Sequence, residues 1–97
     1  MVCRYSAVAL DDLTAIASYI ARDNPKRARS YVAELRTTAS ILAKQPGMGR
    51  LRNDLGSGVR LFPHGNYVIL FTALAGGGAR VERVLHGARD LSVVVQS

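Results

Sequence analysis

The sequence predicts an α+β domain in the order N-terminal strand, antiparallel αα-hairpin, three-stranded antiparallel meander, with the helices packed on one face of the sheet. Two observations carry this. Residues 59–62, 66–72 and 80–86 are short runs rich in Val, Ile, Leu, Phe and Tyr, separated by Pro63-His64-Gly65 and Gly76-Gly77-Gly78. Such runs and spacers make strands joined by turns. Upstream, two longer stretches repeat their apolar residues at helical spacing on either side of Asp23-Asn24-Pro25. With 97 residues the chain reads as one domain, residues 1–97. A domain of that size buries roughly 60 to 65% of its unfolded surface, around a single core.

In chain order, residues 2–5 carry Val, Cys and Tyr and form a first strand at a sheet edge, its pairing partner unspecified. From about Ala7 the period changes, and Ala9, Leu10, Leu13, Ile16, Ala17 and Ile20 fall on one side of a helix of about four turns. Ser6 is its N-cap candidate, and Asp11 and Asp12 lie toward the positive end of its dipole. Asn24 is placed to cap a second helix, with Pro25 at the first helical position, where its missing N–H removes no bond. A link this short makes the helices antiparallel neighbours. Ala28, Tyr31, Val32, Leu35, Ala39 and Leu42 form the inner stripe of the second helix; Lys26, Arg29, Arg36, Ser40 and Lys44 lie outside it. Pro46 ends that helix, Gly47 to Arg50 turn the chain, and residues 51–58 read as a loop.

The middle strand is apolar on both sides. Tyr67, Ile69 and Phe71 point one way, Val68, Leu70 and Thr72 the other. The hairpin covers one face, and the other needs a cover from the short apolar tail, Leu91 to Val95, or from a partner. Incomplete cover, with arginines around it, is the expectation.

The formal charge is +6, from 13 basic and 7 acidic residues, a balance that favours acidic or polyanionic partners. Eleven of the basic residues are Arg, whose planar fork suits carboxylate and phosphate; a GC-rich genome gives the same bias without any function. Cys3 is the only cysteine, so an internal disulfide is excluded, and a small buried hydrophobe is the expected role. Charges at Arg4, Asp11 and Asp12 interrupt anything resembling a secretory signal, and no apolar run reaches membrane-spanning length, so a cytoplasmic protein is expected. Cys3, His64 and His86 are too scattered for a metal site, and no cofactor fingerprint is present.

What remains is cationic. Metal-free RNA cleavage needs a base, an acid and positive charge on the phosphate. Arg60, Tyr67, Arg83 and His86 are the residues able to supply them. Each also has a structural role open to it: Tyr67 as a half-buried sheet residue, His86 fixing a turn with Asp90.

Tyr19-Ile20-Ala21 to Asn24-Pro25, Gln45-Pro46-Gly47-Met48-Gly49-Arg50, Arg60-Leu61-Phe62-Pro63, Tyr67-Val68-Ile69 and Val84-Leu85-His86-Gly87-Ala88-Arg89-Asp90, in this order, resemble the ParE branch of the RelE/ParE toxin superfamily over nearly the whole chain. The resemblance implies the toxin half of a type II toxin–antitoxin pair, held in a hetero-oligomer by a ParD-like antitoxin. It implies DNA gyrase as the target, inhibited by binding and with no catalytic residue. The sister RelE branch cuts messenger RNA on the ribosome with Lys, Arg and Tyr or His on the sheet; here Lys26 and Lys44 are both on the second helix. A ribosome-dependent ribonuclease is therefore the alternative, and an inactive toxin that only binds its antitoxin a second one. The tail after Asp90 is less helix-prone than the family implies. A segment that folds as it docks on the cationic sheet would meet Arg60, Phe62, Tyr67, Ile69, Phe71, Arg80, Arg83, His86 and Arg89.

Overall fold

The computed structural model describes residues 2–91. Strand β1 (Cys3–Tyr5) leads into helices α1 (Ala7–Ala21) and α2 (Pro25–Lys44); β2 (Arg50–Leu51), β3 (Arg60–His64), β4 (Tyr67–Ala73) and β5 (Ala79–His86) complete an α+β fold. The five strands lie in the order β1-β5-β4-β3-β2. All pairs are antiparallel except β1 with β5, which is parallel. The unplaced first strand thus joins the last, because α1 and α2 carry the chain across one face before the meander begins. The two-residue β2, within a stretch read as turn and loop, pairs with Arg60 and Leu61 of β3. It is too short for any alternation to announce it.

Local chemistry sets the helix ends. The Ser6 hydroxyl accepts from the Ala9 N–H at 2.9 Å, and the Asn24 side-chain oxygen accepts from the Arg27 N–H at 3.1 Å, each satisfying a donor the helix leaves open. Pro63 sits inside β3 opposite Val68. The strand tolerates it because β2 pairs only as far as Leu61, leaving the Pro63 nitrogen at a free edge.

Two apolar layers stabilise the sheet. Between helices and sheet lie Leu13, Ile16, Leu35, Leu42, Ile69, Phe71, Val81 and Val84 with their buried neighbours. On the far face Val59, Val68, Leu70 and Leu85 are buried, with Leu55, Leu61 and Leu91 packed against them. This corrects the expectation of an incompletely covered sheet. Val68 and Leu70 are 7% and 3% exposed, because the segment after β2 folds back to bring Leu55 onto this layer and Leu91, the first residue of the tail, packs on it as well. That segment is pinned by Arg52 N–H to Val59 O at 2.7 Å and by Gly58 N–H to the Asn53 side chain at 2.9 Å. The roofing role assigned to the tail falls, beyond Leu91, outside the described residues.

Strand β1 ends at Tyr5, yet β5 continues to His86, so beyond Val81 the edge of β5 away from β4 lacks a neighbouring strand. Helix α1 supplies the missing partners. Ser6 N–H donates to Val81 O at 2.9 Å, the Ser6 hydroxyl donates to Glu82 O at 2.7 Å, and Val84 N–H donates to Asp12 Oδ2 at 3.0 Å. Asp12 also accepts from Arg83 Nε at 2.8 Å and Nη2 at 3.1 Å. The role expected for it at the helix dipole is replaced by this one; no acidic side chain occupies the first turn of α1.

Candidate functional site

The αα-hairpin brings the C-terminal end of α1 and the N-terminal end of α2 to the same place, above the β3–β4 turn and the end of β5. That turn is a two-residue connection, since His64 pairs with Tyr67. Gly65 takes φ +60° while Asn66 keeps a negative φ, the pattern of a II′ turn. A Cβ on Gly65 would also lie 2.9 Å from the Tyr31 hydroxyl, so glycine here serves both the turn and the space above it. The Tyr31 hydroxyl donates to His64 O at 2.6 Å and ties α2 to the turn.

These elements enclose a cleft of about 620 Å³. Tyr19, Ile20, Arg27 and Tyr31 come from the hairpin, Gly65, Asn66 and Tyr67 from the turn and β4, and His86 and Arg89 from the end of β5 and beyond. Its aromatic wall is continuous: ring centroids are 5.8 Å apart for Tyr31 and Tyr67 and 5.3 Å for Tyr67 and His86, within the range of favourable ring contacts. Guanidinium groups lie over two more faces, Arg27 at 5.0 Å from the Tyr31 ring and Arg89 at 5.7 Å from the Tyr19 ring.

Burial raises the Tyr67 hydroxyl above the ordinary tyrosine range, against a smaller opposing pull from Arg89. Burial, with Tyr67 next, raises Tyr31 too. Both therefore stay protonated at neutral pH. His86 Nδ1 accepts from the Arg89 N–H at 3.3 Å, and Asp90 Oδ2 accepts from the His86 N–H at 3.1 Å. With Nδ1 as the acceptor, a neutral His86 carries its proton on Nε2. The turn-fixing role with Asp90 is thus present in the geometry. At the cleft's outer rim Glu34 takes Arg27 on one side and His64 Nε2 at 3.0 Å on the other. Its carboxyl is held below its ordinary range chiefly by the hydrogen bond from Arg27, then by that from His64.

The sequence-derived residues divide. Tyr67, His86 and Arg89 meet in the cleft. Arg60 lies along β3, its Nη1 donating to Gly49 O at 2.9 Å, and Arg83 is held by Asp12. Arg80 is paired with Glu82 at 2.7 Å. Phe62 is partly buried against the core, while Ile69 and Phe71 are 1% and 0% exposed beneath the helices. Neither Ile69 nor Phe71 is exposed for a partner to touch. Tyr19, Arg27 and Tyr31 were absent from the sequence-derived set. The available signal was topological: an αα-hairpin places residues just before and just after its link at one end of the molecule.

Among the described residues no cluster of His, Cys, Asp or Glu could hold a metal ion, and no helix is long and apolar enough to cross a membrane.

The family model described as ParE toxin of type II toxin-antitoxin system, parDE, matches residues 3–91. The chain is 36% identical over 86 residues to Toxin ParE1 of Caulobacter vibrioides, covering 86% of this chain and 85% of that one. It is 37% identical over 81 residues to Toxin RelE2 of the same organism, covering 84% and 89%. A solved structure described as the chromosomal ParDE TA system from P. aeruginosa shares the fold, with a TM-score of 0.72 at 21% identity, over 89% of this chain and 95% of that one.

Proposed function

The chain belongs to the ParE toxin family of type II toxin–antitoxin systems, and from that premise we propose that it stops DNA gyrase by binding and is silenced by a ParD-like antitoxin. What supports binding over cleavage is one observation. The four side chains that a metal-free nuclease would draw on are divided: Tyr67 and His86 share the cleft, whereas Arg60 is engaged by Gly49 O and Arg83 by Asp12. A protonated Tyr67 is also a poor base at neutral pH. Gyrase is a cytoplasmic enzyme, so this reading places the toxin in the cytoplasm, in a hetero-oligomer with its antitoxin until released.

The test is a gyrase supercoiling reaction with purified protein. Micromolar protein is expected to block supercoiling and accumulate cleaved DNA; unchanged supercoiling at that concentration counts against the proposal.

A second reading, a ribosome-dependent ribonuclease, draws on the similarity to Toxin RelE2 and on the Tyr67–His86 ring contact. It predicts codon-phased cuts in translated messages that disappear with His86→Ala.

A further inference from the structure

A second charged surface runs along the outer side of α2. Lys26, Arg29, Ala33, Arg36, Ser40 and Lys44 follow one another at intervals of three or four residues and are all exposed, so they form one stripe. At 1.5 Å per residue it is about 27 Å long. The one carboxylate of α2, Glu34, lies off the stripe and is turned to Arg27 and His64. Among the described residues no ion pair or hydrogen bond engages the side chains of Lys26, Arg29 or Lys44. The Arg36 guanidinium lies over the Tyr5 ring at 5.1 Å, a contact that leaves its in-plane N–H groups to donate elsewhere.

In its first half the placement works against the helix. Lys26 and Arg29 stand near the positive end of the α2 dipole, whose first turn holds no acidic side chain, and they are like-charged neighbours at i, i+3. Between the cations lie only Ala33 and Ser40, with Ile41 to one side. A docked polypeptide draws its affinity from buried apolar anchors, and single-stranded nucleic acid from bases stacked on free aromatic rings. The stripe offers neither. The backbone of a duplex needs neither, because release of its counterions supplies the affinity.

We propose that the outer stripe of α2 is a docking surface for duplex DNA, held through its phosphates and without regard to base sequence. Lys26, Arg29, Arg36 and Lys44 each neutralise a phosphate. The charge of +6 on the chain draws the duplex in, and the stripe gives it a line of contact. A toxin acting on gyrase would meet DNA on the same enzyme, but the inference goes beyond that target and does not depend on it.

The experiment follows the fluorescence anisotropy of a labelled duplex titrated with the full protein, at salt concentrations from about 50 to about 200 mM. Four neutralised phosphates give a slope of log K against log salt of about −3.6, a loss of about 150-fold in affinity over that range. Lys26→Gln, Arg29→Gln, Arg36→Gln and Lys44→Gln are each expected to make the slope shallower by about 1. Arg4→Gln and Arg50→Gln, at exposed cations on β1 and β2, should leave it unchanged. Glutamine is a good helix former, and thermal melts followed by circular dichroism report that each variant is folded. A slope near zero overturns the proposal. So does an equal reduction by Arg4→Gln or Arg50→Gln, which would make the net charge and not the stripe responsible. Tighter binding of the same sequence as a single strand also overturns it, as does displacement of the duplex by oligoglutamate at a lower concentration of charge than unlabelled duplex, which would assign the stripe to an acidic polypeptide. Because no gyrase is present, the result is independent of whether the toxin blocks supercoiling.

Discussion

The middle of the sheet and its end are built from the same residue types, yet one is closed and the other open. In the middle, Phe71 lies fully buried with Gly49 against its ring, and Arg60 is folded onto the Gly49 carbonyl. At the end, Tyr67, Tyr31 and His86 line a cleft with Arg27 and Arg89 over neighbouring rings. The difference is what the backbone does nearby. Gly49 lets the chain come so close that a Cβ there would lie 2.4 Å from the Phe71 ring, whereas the hairpin link stands over the β3–β4 turn without filling the space between. Interleaved aromatic and cationic residues therefore do not by themselves mark a binding surface. They mark one only where no segment of the chain has come down upon them.

Substitutions can break or sharpen this contrast. The largest effect is expected in the closed region: Phe71→Ala should cost about 3 to 5 kcal/mol in urea denaturation, because its ring is the largest fully buried side chain of the core. A loss near zero would mean the middle of the sheet is not the packed element described. Next is the contact by which α1 completes β5. Asp12→Ala leaves the Arg83 guanidinium and the Val84 N–H without their acceptor and should cost about 1 to 3 kcal/mol; Asp11→Ala, one residue away and exposed, serves as the control with little change.

Within the open region effects on stability should be smaller. Tyr31→Phe removes the bond to His64 O and is expected to lower stability by about 0.5 to 1.5 kcal/mol, with faster hydrogen exchange at the β3–β4 turn. An exchange pattern like that of wild type would show that the turn stands without α2.

The smallest effect is one of pH. The Glu34 carboxyl is held below its ordinary value of 4.5, first by Arg27 and then by His64. A depressed carboxyl stabilises the fold above its unfolded pKa and loses that contribution as pH falls through its folded pKa. Wild type and Glu34→Gln should thus differ by a constant amount at neutral pH and converge as the pH drops below about 4.5. The convergence should be slight, because the pair is solvent-exposed and screened. On the alkaline side the sign reverses. Tyr5, pushed up to about 12 mainly by burial, together with Tyr31 and Tyr67, disfavours the phenolate in the fold. Phenolate absorbance should accordingly rise at higher pH in folded than in urea-unfolded protein.

Much of this protein was readable from residues in sequence. Ser6 and Asn24 announced the helix starts, since a cap is a contact between residues three apart. Apolar period separated helices from strands, and Pro63-His64-Gly65 marked the turn between β3 and β4 to within two residues: Gly65, with its positive φ, lies in it, while Pro63 and His64 still belong to β3. Of the nine residues read as one surface, only Tyr67, His86 and Arg89 line the cleft. The caps and the turn depend on local geometry, which a linear pattern encodes directly.

Other features depend on residues far apart in the chain, and no local pattern carries them. Asp12 and Arg83 are 71 positions apart, and their meeting follows from β1 pairing in parallel with β5 and ending at Tyr5. The cover over Val68 and Leu70 comes from Leu55, in a segment with no periodicity of its own, and from Leu91, the first residue of the apolar tail. Which arginines line the cleft was likewise decided only by packing. The sequence determined the elements and the chemical character of the surface, because backbone propensity and hydrophobic period act over a few residues. Tertiary structure decided which of those side chains are left to meet another molecule, because burial is a property of the whole chain's path.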